Sequence, residues 1–154
     1  MSKLYINQYY VELDHTLQFG LSKNEQSLRI PFFNLLNKYA IEYNYEVIAE
    51  EIIMGTKGKN VRPDGVVKNN LKLIIGLWES RDEKEDLDAE IDAIIEKGYP
   101  LTNILIENSK NAMLFQKGEE ILRIETRNAD KLDEILTKFI TFKSDAVYNF
   151  EKEL

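Results

Sequence analysis

Residues 62–82 decide the fold: Arg62-Pro63-Asp64-Gly65-Val66-Val67-Lys68-Asn69-Asn70-Leu71-Lys72-Leu73-Ile74-Ile75-Gly76-Leu77-Trp78-Glu79-Ser80-Arg81-Asp82. Asp64 to Lys68 reads as a short strand, and Asn69-Asn70 is a turn signal. Leu71 to Arg81 reads as a longer strand. Its run of Leu73, Ile74, Ile75, Leu77 and Trp78 is too continuous for a half-exposed strand and places it centrally in a sheet. Glu79 and Arg81 are two residues apart, so they face the same side. A hairpin that sets Asp64 against Glu79 at a sheet end would hold a hard divalent cation between two carboxylates. Such an ion activates water and offsets charge on a phosphate under attack.

The register is the obstacle. A two-residue turn at Asn69-Asn70 sets Asp64 opposite Ile75. At a rise of about 3.3 Å per residue, that is roughly 13 Å from Glu79. Direct opposition needs a hairpin centred nearer Leu71-Lys72, or a bulge that bends one strand.

Working outward, Tyr5, Tyr9, Leu13 and Leu17 recur every fourth residue and predict a first helix ending at Gly20. Ser22-Lys23-Asn24-Glu25 has the capping-box pattern and predicts a second helix starting there. Its apolar face is Leu28, Phe32, Leu35, Leu36 and Tyr39, with a kink or break expected at Pro31. Val47 to Met54 reads as one strand, followed by a glycine- and lysine-containing loop over 55–60. Asp82 to Gly98 returns to helical spacing through Leu87, Ile91, Ile94 and Ile95, with Gly98 closing it and Pro100 preventing continuation. Asn103–Glu107, Ala112–Gln116 and Ile121–Glu125 read as three strands, with a hairpin turn at Lys117-Gly118-Glu119. Ala129–Phe142 is an amphipathic helix through Leu132, Ile135, Leu136 and Phe139, and the tail after Ser144 is read as helical. The order predicts a mixed α/β arrangement around one sheet in a single domain over 1–154.

Composition narrows the chemistry. The chain has 154 residues, no cysteine, one histidine (His15) and a formal net charge of -7. Thiolate metal sites, disulfides, cysteine nucleophiles and multi-histidine sites are excluded. Any metal must be held mainly by oxygen. No run of about 18 apolar residues occurs, so no membrane span is expected; the absence of cysteine fits an expected cytoplasmic location. The acidic balance argues against a simple sequence-independent DNA binder. The acidic run Asp82 to Asp92 reads as an exposed helix face.

Pro63-Asp64 followed by Glu79-Ser80-Arg81 resembles the PD-(D/E)xK nuclease signature. The wider set is similar to the N-terminal endonuclease domain of single-chain type ISP and type IIG restriction–modification enzymes. It comprises Glu25-Gln26-Ser27-Leu28-Arg29, Arg62-Pro63-Asp64-Gly65, Ile75-Gly76-Leu77-Trp78-Glu79-Ser80, Asp86 to Ile91, Lys97-Gly98-Tyr99-Pro100 and Asn103 to Glu107. The resemblance covers roughly residues 5 to 125. It implies a restriction-endonuclease-like α/β fold, with a mixed central sheet flanked by helices, and cleavage of double-stranded DNA with Mg²⁺, or Mn²⁺, as cofactor. Asp64 and Glu79 match the metal-binding carboxylates, the Ser80 carbonyl a further ligand, and Glu25 a helix-borne acid that assists. The family has lysine where this chain has Arg81. Arginine stays charged and is a poor base, though it can neutralise a phosphate. Lys57, Lys59 and Arg62 flank these residues as candidate phosphate contacts. In the family, adenine-methyltransferase, target-recognition and helicase-like domains share the polypeptide. This chain carries no Asn-Pro-Pro-Tyr methyltransferase motif, so it is expected to be the N-terminal part of a larger enzyme. The other expectation is a nuclease-like module that docks DNA or neighbouring domains without cutting.

Overall fold

The computed structural model describes residues 2–19 and 25–152. Two helices come first, α1 (Ser2–Phe19) and α2 (Glu25–Glu42). The strands β1 (Glu46–Ala49), β2 (Ile53–Met54), β3 (Asn60–Val61), β4 (Gly65–Lys68) and β5 (Ile74–Ser80) follow. Then come α3 (Leu87–Lys97), β6 (Asn103–Glu107), β7 (Asn111–Gln116), β8 (Glu119–Glu125), α4 (Ala129–Thr141) and α5 (Asp145–Lys152). Six strands form one sheet in the order β1-β4-β5-β6-β7-β8, while β2 and β3 pair separately. Only the β5–β6 pair is parallel, and α3 supplies its crossover. The expected mixed central sheet flanked by helices is present.

Alternation along the central strands sorts side chains to two faces. Val67, Trp78 and Leu105 join a core with α1, α2 and α4, whereas Val66, Leu77, Ile104 and Ile106 join a second core with α3. Asp64 and Glu79 each lie two residues from a member of the second set, so both belong to the α3 face at the edge of its apolar core.

Several expectations need correction. Residues 47–54 are not one strand: Glu50 takes a left-handed backbone (φ 54°), and the chain breaks into β1 and β2. Its N–H bonds the Asp64 carbonyl at 3.1 Å, which fixes the break beside the 62–65 segment. Pro31 neither ends nor interrupts α2, which continues to Glu42 around the buried Phe32, Leu35, Leu36 and Tyr39. Tertiary burial of that face outweighs the lost hydrogen bond. Helix α3 begins at Leu87 rather than Asp82, because the Asp86 carboxylate accepts from Asp88 N and caps it there. Gly98 closes it in the left-handed region (φ 89°), as predicted. The capping box read at Ser22 lies outside the described residues. Glu25 opens α2, but its side chain is not among those described, so its proximity to the carboxylates is not defined.

The register problem is solved by both of the devices considered. Gly65 pairs with Trp78 and Val66 with Leu77, which centres the hairpin on Leu71-Lys72. A bulge at Val67/Lys68 then shifts Lys68 to Ile74. The buried Asn69 makes the wide turn possible. Its side-chain oxygen accepts from the N–H groups of Leu71 and Leu73 at 3.0 and 2.9 Å, and Lys72 takes the left-handed conformation (φ 66°). The strand therefore starts at Ile74 instead of Leu71. One residue beyond the Gly65–Trp78 pair, Asp64 faces Glu79.

Asn103 locks the other end of β5. Its Nδ2 donates to the carbonyls of Ile75 and Phe139 at 3.0 and 2.8 Å, and its Oδ1 accepts from Gln116 Nε2 at 3.0 Å. Gly76 is required opposite it, since a Cβ there would lie 2.7 Å from Asn103 Nδ2 and 2.5 Å from the Phe139 ring. Asn103→Ala leaves two buried carbonyls without that donor. It is expected to cost about 1–3 kcal/mol, read from urea unfolding midpoints with an unchanged m-value.

Candidate active site at the end of strands β4 and β5

Asp64 and Glu79 are tied together through the backbone. Asp64 Oδ2 accepts from Ser80 N at 2.7 Å, and Asp64 N donates to Glu79 Oε1 at 3.3 Å. Each carboxylate is thus oriented by the other strand's end. Glu79 is buried, with 2% of its surface exposed. Burial pushes its carboxyl up to about 7, and the charge of Asp64 adds to this. Arg81, with Tyr99 in hydrogen-bonding reach, pulls it back. A buried pair of acids so close together calls for a cation.

Arg81 answers that demand. Nη1 donates to Glu79 Oε2 at 2.6 Å and to the Ser80 carbonyl at 2.9 Å, and lies 3.8 Å from Asp64 Oδ2. On the outer side, Nε donates to Glu90 Oε2 at 2.6 Å. Its main-chain N–H bonds the Glu107 carbonyl at 2.8 Å, which continues the β5–β6 ladder past Ser80. Arg81 is therefore buried within the site, with 9% of its surface exposed. A second guanidinium approaches from α2: Arg29 Nη2 is 3.3 Å from Asp64 Oδ1, and Nη1 is 3.8 Å from Glu50.

Behind Ser80 lies a fully buried acid. Glu107 accepts from Ser80 Oγ at 2.6 Å and from Ser109 N at 2.7 Å. Burial pushes it up to about 7, against the pull of those bonds. On the other flank, Tyr99 Oη donates to the Arg62 carbonyl at 3.3 Å. Tyr99 also lines an open groove of about 570 Å³, together with Lys57, Lys59, Arg62 and Lys97. Lys57 Nζ is turned onto the Glu96 carbonyl at 2.7 Å, and Arg62 pairs with Glu50 at 3.4 Å. Lys59 is exposed.

Asp64, Glu79, Ser80 and Arg81 come together as read from the sequence. Lys57, Lys59 and Arg62 border the groove beside them rather than touching the carboxylates. Four contributors were given no role: Arg29, Glu90, Tyr99 and Glu107. Glu90 carried a signal, since it shares one helical stripe with Leu87, Ile91 and Ile94, where an acid on an apolar face needs a partner. The 82–92 run is only partly the exposed face expected: Asp86, Asp88 and Asp92 are exposed, with Asp88 paired to Arg123 at 2.6 Å, whereas Asp82, Glu83 and Glu85 are half-buried and Glu90 turns inward to Arg81. Glu107 carried one too, as an acid ending the apolar strand Asn103-Ile104-Leu105-Ile106.

Among the described residues, no three acidic or histidine side chains converge as a metal cluster. The donors present are two carboxylates and one strand carbonyl. All are oxygen, which suits a hard divalent ion that keeps several waters. The set fits Mg²⁺ or Mn²⁺ in kind, with Arg81 lying against the same oxygens.

No protein-family model and no curated protein matches the sequence. Among solved structures, the chain superposes on one reported as a DrdV–DNA complex, with a TM-score of 0.93 and 36% sequence identity over 97% of its length. It spans 15% of that chain. The type IIG restriction endonuclease BpuSI gives a TM-score of 0.48 at 17% identity, over 82% of this chain and 16% of its own. No described helix is long and apolar enough to cross a membrane.

Proposed function

We propose that this restriction-endonuclease-like domain is the DNA-cleaving part of a larger restriction–modification polypeptide, hydrolysing phosphodiester bonds in double-stranded DNA with a divalent ion. The observation that supports this most is the facing of Asp64 and Glu79 across β4 and β5, with the Ser80 carbonyl beside them. Asp64, Glu79 and the Ser80 carbonyl would hold Mg²⁺, or Mn²⁺ in its place. When bound, the ion supplies an activated water and offsets phosphate charge. Asp64 is aimed by Ser80 N and Glu79 by Asp64 N, so neither carboxylate needs to reorganise. Arg81 remains protonated and cannot serve as base; its planar fork suits a phosphate. Arg29 places a second cation on the far side of Asp64. The groove of Lys57, Lys59 and Arg62 leads a DNA backbone toward Tyr99 and Glu79. With a net charge of -7, the domain alone would grip DNA weakly. Target-recognition, methyltransferase and helicase-like domains of the same polypeptide would supply affinity and specificity. Its similarity to a chain solved as a DNA complex, of which it spans only 15%, fits this.

The test is plasmid nicking. Arg81→Lys is expected to raise Mg²⁺-dependent nicking of supercoiled DNA, and Asp64→Ala in that background to abolish it. An inert lysine variant, assayed fused to its partner domains, would defeat the site assignment. The contact of Arg81 with every candidate ligand favours one second reading, a nuclease-like module that docks DNA or neighbouring domains without cutting. Such a module has no need to bind Mg²⁺ or Mn²⁺ through Asp64 and Glu79 once Arg81 is removed.

A further inference from the structure

We infer that Arg81 is the resident cation of this site, and that it and a divalent ion compete for the same oxygens of Glu79, Ser80 and Asp64. The inference rests on reading Asp64 and Glu79 as cation-binding carboxylates, and it adds a regulation of that site. Nη1 donates to Glu79 Oε2 at 2.6 Å and to the Ser80 carbonyl at 2.9 Å, and forms an ion pair with Asp64 Oδ2 at 3.8 Å, so one nitrogen lies against all three oxygens. The guanidinium is held at its other edge by Glu90 at 2.6 Å, on a different element from the strand that carries Arg81. Two anchors on β5 and α3 fix its plane. Only 10% of the Arg81 side chain is exposed, and 3% of Glu79. Water screens the pair little at this depth, and removing one partner leaves the other charge buried and uncompensated.

Arginine cannot leave by losing its proton. The site therefore opens to metal only when the whole guanidinium swings away. A lysine in its place is a shorter point charge that cannot span Glu79 and Glu90 with a fork. It yields the oxygens more readily. The salt bridge thus occupies the oxygens a metal needs.

The experiment is Mn²⁺ titration by calorimetry, with thermal unfolding in EDTA and in Mn²⁺, on the whole chain and its variants. The native chain is expected to bind Mn²⁺ weakly and to melt at the same temperature with and without it. Arg81→Ala is expected to melt lower in EDTA, recover on adding Mn²⁺, and bind the ion at least about tenfold more tightly. Arg81→Lys keeps a cation for folding and falls between the two. Adding Asp64→Ala to either variant removes the binding. Equal Mn²⁺ affinity in the native chain and both variants overturns the competition while leaving the carboxylates as a metal site. Folded Arg81→Lys protein that binds no Mn²⁺ overturns the carboxylate reading itself, and the inference with it. If Arg81→Ala does not fold, a lysine variant that binds no more tightly than the native chain is sufficient to reject the competition.

Discussion

Trp78→Ala is expected to lower the unfolding free energy by about 3–5 kcal/mol, the range for truncating a large buried aromatic. Trp78 is fully buried. Its ring stacks on Phe32 at 5.8 Å with planes 14° apart, and meets Phe33 at 6.1 Å. It thereby joins α2 to the centre of the sheet. Its other edge lies over Gly65, where an added Cβ would come within 2.7 Å of the indole. Gly65 follows Asp64, and Trp78 precedes Glu79, so the residue that holds the core also sets the spacing of the carboxylates. Truncation leaves a cavity that α2 and β4 can fill only by moving, and either movement shifts Asp64 relative to Glu79. The stability loss is read from urea midpoints. In the same protein, Mn²⁺ binding in the Arg81→Lys background should weaken even at temperatures where the fold is intact. Trp78→Phe keeps most of the stacking and is expected to lose under half as much stability. Alanine and phenylalanine variants of equal stability would show that the ring is not the support it is taken for.

How much of this was legible in the sequence depends on the kind of signal. Helical stripes carried α1, α3 and α4, and Gly98 marked the end of α3, because burial of one face every 3.6 residues leaves a direct trace, whereas the terminator read at Gly20 lies outside the described residues. The central position of β5 was legible from its unbroken apolar run, which only a strand covered on both faces can bury. The hairpin register was not. It turns on Asn69 folding its side chain over two backbone N–H groups and on a bulge at Val67/Lys68, and neither has a periodic signature. Local propensity at Asn69-Asn70 pointed to a tighter turn, and tertiary pairing of Gly65 with Trp78 overrode it. Likewise, Glu50 in a left-handed conformation cut a strand that its β-branched neighbours favoured. The site followed the same division. Asp64, Glu79 and Arg81 sit on one continuous hairpin, so their convergence was accessible once the register was questioned. Arg29, Glu90 and Glu107 reach it from α2, α3 and β6, and only the folded sheet brings those together.

Glu107→Gln is expected to stabilise the protein at pH 8 by as much as about 3 kcal/mol and to change little near pH 4. Glu107 and Glu79 each stand at about 7, against an ordinary 4.5. The folded state therefore binds their protons more tightly than the unfolded chain does. The stability this linkage contributes is fully present below about pH 4.5 and is lost as pH rises through 7. Above that, the native protein carries a charged carboxylate at Glu107 with 1% exposure, and among the described residues no guanidinium or ammonium is bonded to it. Glutamine removes the charge and keeps the geometry. Its Oε1 accepts from Ser109 N, and its Nε2 donates to Ser80 Oγ, which can accept as readily as it donates. The comparison is the difference between native and variant urea midpoints at pH 5, 6.5 and 8, in which contributions common to both proteins cancel. That difference should widen with pH and flatten above 8. Glu79→Gln should behave otherwise, because Glu79 is bonded to Arg81 at 2.6 Å and losing its charge leaves the buried guanidinium with only Glu90 and Asp64 to offset it. If Glu107→Gln is less stable than the native protein at pH 8, the charge is offset by something other than the two bonds from Ser80 and Ser109. The buried acid behind the site would then be an electrostatic support for it rather than a cost.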